Sequence, residues 1–164
     1  MEKYYPHPVT VIYFTDYLRV TALPHDMSME FDWSPDLTVF DETLDNQHRQ
    51  LLCQVNRLIQ SITEDTPKTP VVQEAIAFLD EYTLNHFRAE EEYMKAHNYP
   101  YLDAHIALHT KFIEQYTAIK ERILKDNMPI LSPVELELQL SRWWIDHIGG
   151  ADKEYAMYIK THAE

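Results

Sequence analysis

Seven residues of this 164-residue chain have the types and spacing of metal ligands. His86-Phe-Arg-Ala-Glu90 and His105-Ile-Ala-Leu-His109 each hold two donor side chains four residues apart. Four residues advance an α-helix by about 400°, so both members of a pair share one face, about one turn apart. His48 lies upstream of these pairs, and His147 and Asp152 lie downstream. The total is five imidazoles and two carboxylates. One mononuclear site rarely uses seven side chains, whereas two metals bridged by two carboxylates use them naturally. Imidazole with carboxylate suits iron, and a chain with one cysteine has no cluster for structural zinc or iron–sulfur.

Taken singly, each residue has an ordinary explanation. Exposed helices carry polar pairs at this spacing for their own stability. His48 alone reads as a surface or satisfied core histidine, and Asp152 alone as a solvated charge. The five-residue step from His147 to Asp152 is not a clean same-face spacing on an α-helix. The signal is the conjunction of all seven. His7, His25, His97 and His162 keep the ordinary reading: two lie near the N-terminus, one ends a helix and one ends the chain. Cys53 reads as a small buried hydrophobe. Glu91 and Glu92 read as solvated or supporting groups rather than ligands.

The elements that must position these residues are four helices. A stripe of Leu44, His48, Leu51, Val55, Leu58 and Ile62 predicts the first, over about 42–63. The second is expected over about 70–96, with Thr69 as N-cap and Pro70 at the first helical position. Asn98-Tyr-Pro100 marks a turn, and the third helix follows over about 101–125. Ser132-Pro-Val-Glu135 reads as a capping box opening a fourth helix to about Ile159. Every helix carries at least one candidate ligand. Short connections favour antiparallel neighbours, so the expected fold is all-α, an up-down-up-down four-helix bundle. Residues 1–28 differ: Val9 to Phe14 is β-branched and aromatic and reads as extended. They are expected to form an N-terminal extension, with the bundle over 29–164.

Composition narrows the partners. Lys+Arg is 14 and Asp+Glu is 27, a formal net charge of −13, which disfavours nucleic acid and anionic lipid. No apolar run approaches the ~20 residues of a membrane span, and no signal-peptide pattern opens the chain. A cytoplasmic location is the expectation.

With these residues in place, the sequence resembles the hemerythrins, specifically the bacterial ones, over about 31–160. The matching blocks are Phe31-Asp-Trp33, Leu44-Asp-Asn-Gln-His48, His86-Phe-Arg-Ala-Glu-Glu-Glu-Tyr-Met94, Tyr99-Pro, His105-x3-His109-x2-Phe112, and Trp144-Ile-Asp-His147-Ile-x3-Asp152-x2-Tyr155. The resemblance implies two non-haem irons. His105, His109 and His147 would hold one, and His48 and His86 the other, which keeps an open position. Glu90 and Asp152 would bridge them, with an oxo or hydroxo group as a third bridge. The implied activity is reversible O2 binding at the open position, for carriage, storage or sensing, with small anions such as azide as further ligands. A sensor would need a separate protein partner. A di-iron oxidase, peroxidase or nitric-oxide-handling enzyme is the alternative, and iron buffering a third. The imidazole-rich ligand set leans toward binding; ferritin-like di-iron enzymes favour carboxylates.

The resemblance also places Leu51, Phe87, Trp143, Trp144, Ile148 and Gly149 around the O2 pocket. Trp144 stands where the family commonly has leucine, and Gly149 where it commonly has a larger aliphatic residue. Gly149 and Gly150 are the only glycines in the chain. Either Gly149 makes room for the Trp144 indole or for a channel, or the pair permits a distortion that brings Asp152 into position.

Overall fold

The computed structural model describes residues 31–63, 68–125 and 132–162. The expected extended stretch within 1–28 lies outside them. The first helix, α1, is Glu42–Thr63, the second, α2, is Lys68–Ala96, and the third, α3, is Leu102–Lys125. The fourth helical rod has three consecutive pieces: α4 (Ser132–Trp143), a π-helical segment (Trp144–Ala151) and α5 (Asp152–His162). A 3-10 turn, Pro35–Leu37, precedes α1. Among the described residues there is no strand. Consecutive helices pack on each other and the fourth returns to the first, which closes a four-helix ring. This is the expected bundle. No described helix is long and apolar enough to cross a membrane.

The boundaries follow local chemistry. Asp41 caps α1, its Oδ1 accepting from the Leu44 N–H at 2.9 Å. The α2 helix begins at Lys68, so Thr69 lies inside its first turn rather than at its cap, a difference of the size common at helix ends. It ends in a Schellman motif: the Tyr99 N–H reaches the Met94 carbonyl at 3.0 Å and the Asn98 N–H the Lys95 carbonyl at 3.1 Å. Asn98 takes the left-handed conformation this requires, at φ 54°. His97 behaves as its position suggests, its Nδ1–H donating to the Tyr93 carbonyl at 2.8 Å. The Ser132 side of the expected capping box lies outside the described side chains, and Glu135 faces the neighbouring helix. Its carboxylate accepts from Arg122 of α3 at 2.9 Å.

The core is split in two. The larger apolar cluster includes Leu51, Leu58, Leu79, Phe87, Phe112, Leu140, Trp144 and Ile148. The smaller includes Leu44, Met94, Tyr99, Tyr155 and Ile159. On each helical rod the candidate ligands fall in sequence between residues of one cluster and residues that belong to or pack against the other. Apolar packing above and below therefore fixes the depth at which the polar residues sit. The chain before α1 is anchored too: Phe31 exchanges two 2.9 Å hydrogen bonds with the Asn56 side chain, and Arg49 lies over the Trp33 ring.

Candidate metal centre

All seven candidate ligands are buried, and each of the four helical rods contributes at least one. Their donor atoms form two groups. Ligand atoms of Glu90, His105, His109 and His147 lie within 4.8 Å of one another, and so do those of His48, His86 and Glu90. Glu90 belongs to both: its Oε2 is 3.0 Å from His109 Nε2, 3.4 Å from His105 Nε2 and 3.8 Å from His86 Nε2. Asp152 also reaches both, with one oxygen each way. Its Oδ1 is 3.0 Å from His147 Nε2 and 3.4 Å from His105 Nε2, while its Oδ2 is 3.3 Å from His48 Nε2.

The five-residue step that argued against Asp152 is resolved by the helix itself. Trp144–Ala151 is π-helical, and the Asp152 N–H bonds to the carbonyl of His147, five residues back. A wider turn returns to the same face after five residues instead of four, so both side chains point into the bundle. The glycine pair lies within this segment. A Cβ added at Gly149 would meet the Trp144 backbone oxygen at 3.7 Å and Leu37 Cδ2 at 3.9 Å, both ordinary contacts, and one at Gly150 would meet nothing within 4 Å. The Trp144 indole is not among these neighbours. A methyl at Gly149 would therefore not meet that indole, while the segment does contain the distortion that places Asp152.

Supporting hydrogen bonds fix the rings. The His86 Nδ1–H donates to Gln47 Oε1 and the His109 Nδ1–H to Glu91 Oε1, both at 2.8 Å. Each puts the ring proton on Nδ1 and turns Nε2 inward, the usual way a protein orients an imidazole ligand; His109 Nε2 there lies 3.1 Å from His147 Nε2. Tyr155 donates its hydroxyl to Glu90 Oε1 at 2.7 Å. Gln47 and Tyr155 went unassigned in the sequence reading. The clue for Tyr155 was its position three residues after Asp152, on the same face; Gln47 had none, since its neighbour His48 accounts for that stretch. Glu91 takes the supporting role expected, and Glu92 pairs with Arg88 at the surface.

Electrostatics match a cation-binding set. Burial lowers His86 to about 3 and His147 to about 2, against the upward pull of the Glu90 charge. Burial lowers His48 as well. Burial alone would raise Glu90, but the surrounding imidazoles, His86 first and then His105 and His109, hold it well below the usual carboxylate range. Asp152 is pushed well above that range, first by burial and then by the Glu90 charge. Neutral imidazoles are the form that ligates metal. Two carboxylates that repel each other in a dry interior are what a shared cation relieves. Among the described residues, buried side-chain atoms with no hydrogen-bond partner include His48 Nε2, His86 Nε2, His105 Nε2, Glu90 Oε2 and both Asp152 oxygens. Native interiors rarely leave such atoms unpaired.

Residues 39–159 match the family described as the hemerythrin HHE cation binding domain. The chain belongs to the hemerythrin family. It is 33% identical over 130 residues to a bacteriohemerythrin of Stenotrophomonas maltophilia, which covers 79% of this chain and 82% of the relative. A bacteriohemerythrin of Pseudomonas aeruginosa is 30% identical over 128 residues, 78% of this chain and 80% of the relative. A myohemerythrin of Theromyzon tessulatum is 27% identical over 125 residues, 76% of this chain and 90% of the relative.

Around the hemerythrin centre, Leu51, Phe87, Trp143, Trp144 and Ile148 all fall in the larger apolar cluster. Phe87 stacks on His109 with centroids 3.9 Å apart, and Trp143 on His147 at 3.7 Å, so both rings flank the three-histidine group. Trp144 packs edge-on against Trp33 at 6.2 Å. Cys53 is exposed, a correction to the buried hydrophobe expected. It sits on the outer face of α1 beside Arg49 and Arg57.

Proposed function

We propose that the chain holds two non-haem irons and binds O2 reversibly at the group with fewer ligands. The observation that carries this reading is the shared use of Glu90 and Asp152 by a three-histidine group and a two-histidine group. With two carboxylates common to both, the His48–His86 group has one protein donor fewer, and that difference is where an exogenous ligand belongs. His105, His109 and His147 would hold one iron, His48 and His86 the other, with Glu90, Asp152 and an oxo or hydroxo group between them. When bound, the iron pair supplies two electrons to O2 and recovers them on release.

The chain's own residues do the rest. The apolar cluster excludes water from the ligand position. Gln47 and Glu91 hold His86 and His109 in the ligating tautomer. Tyr155 keeps one oxygen of Glu90 in place. A buried, imidazole-rich centre of this kind supports binding rather than turnover, and the burial of all seven ligands opposes iron buffering. We place residues 1–28 outside the metal-holding unit and the protein in the cytoplasm. Metal analysis tests the reading: about two irons per chain are expected after growth in iron-replete medium. The same content is expected for a chain starting at Met29. About one zinc and no iron would overturn the assignment.

A further inference from the structure

Among the described residues, three buried donors outside the ligand set have no acceptor: Tyr82 Oη, Trp143 Nε1 and Trp144 Nε1. All three residues belong to the larger apolar cluster. They differ in where their rings lie. Trp143 stacks on His147, within the three-histidine group, and Trp144 packs edge-on against Trp33. Tyr82 alone stacks on a histidine of the two-histidine group, its centroid 4.6 Å from that of His86 with 24° between the planes.

Tyr82 lies one helical turn before His86 and two before Glu90, so the three form a single stripe on α2. Phe78 extends it, stacked on Tyr82 at 5.3 Å. Phe87 meets Tyr82 edge-on at 6.4 Å. The phenol ring is thus held in one orientation by aromatic neighbours that offer its hydroxyl no acceptor. One side of Tyr82 also lines a cleft of about 400 Å³ between α1 and α2, together with Gln47, Gln50, Asn85 and His86. That cleft borders His86, yet the hydroxyl itself is buried. A buried hydroxyl without a partner costs free energy, and sites retain one where a ligand supplies the acceptor.

We propose that the Tyr82 hydroxyl donates a hydrogen bond to a small ligand, O2 or a triatomic anion such as azide, held at the His48–His86 group. This rests on the di-iron reading and adds a polar anchor to an otherwise apolar pocket. The donor favours ligands that carry negative charge when bound, because charge-assisted hydrogen bonds are the stronger kind. It slows their departure more than it speeds their arrival.

The test uses the full-length iron-loaded protein, azide as probe, and Tyr82→Phe, which keeps the ring and removes only the hydroxyl. Azide should dissociate faster and bind about tenfold more weakly in the variant, with iron content unchanged. The azide vibrational band should shift on exchange into heavy water in the wild type and not in the variant. The melting temperature of the metal-free variant should equal or exceed that of the wild type, since no bond is lost. Affinities within about twofold, with the same isotope response in both proteins, overturn the inference while leaving the di-iron reading intact. A clear fall in the metal-free melting temperature also overturns it, by revealing a structural partner for the hydroxyl. A wild type that loads no iron overturns both.

Discussion

At the residue scale, the shared carboxylates dominate. Glu90 and Asp152 each face donors of both groups, while every histidine serves one. Removing a bridge leaves two cations facing each other with less negative charge between them. Glu90→Ala and Asp152→Ala should therefore lower iron content further than any single histidine-to-alanine change. Tyr155→Phe should keep both irons at high metal concentration and weaken retention about 10–100-fold, the usual cost of losing a supporting partner. Iron analysis after dialysis against a graded chelator series separates the cases. Full loading of both carboxylate variants would remove the bridging roles. The types and spacing of these seven residues were legible in the sequence, because paired donors on a helix face leave a pattern. Tyr82 and Gln47 were not legible, because one tyrosine and one glutamine on an amphipathic helix look like any others.

At the element scale, helix existence and order were readable from periodicity and capping. The α1 and α3 boundaries fall within a residue or so of the pattern. The π-helical segment was not readable, since apolar periodicity averages over several turns and hides a local change of pitch. Its trace in the sequence is the five-residue His147–Asp152 step, which suits a π-helical turn and not an α-helical one. Cys53 failed for a related reason: its neighbour Leu52 is buried, and sequence alone does not fix where the buried stripe ends. The glycine geometry makes a firm prediction. Gly149→Ala should be tolerated, changing stability by no more than about 1 kcal/mol, because the added methyl meets only ordinary contacts. Its effect should add to that of Trp144→Leu in a double-mutant cycle on thermal stability. A coupling well above about 0.5 kcal/mol would make Trp144 and Gly149 compensating partners.

At the scale of the whole molecule, a bundle with a polar layer between two apolar clusters depends on what neutralises that layer. In the metal-free protein, unfolded histidines take up a proton near pH 6.5, whereas His86 stays neutral in the fold down to about 3 and His147 to about 2. Between those limits the unfolded state holds more protons, so stability falls as pH falls. His48 and Glu90, both lowered, act in the same direction. Asp152, raised by burial, acts in the opposite direction: its contribution is present at low pH and lost as pH rises through its folded value. Between pH 5 and 7 Glu90 is ionised in both states and drops out, so three histidines act against one aspartate and the metal-free protein should unfold at lower urea concentration at pH 5 than at pH 7. Equal or greater stability at pH 5 would mean that these histidines are not held neutral by burial.

The central claim is that this centre binds O2 and releases it unchanged. The direct measurement is an optical titration of the anaerobically reduced, iron-loaded protein with O2, followed by argon. The account predicts a visible band that grows with O2, disappears under argon and returns on re-exposure. A band that never forms, or a rapid oxidation that argon does not reverse, would contradict it.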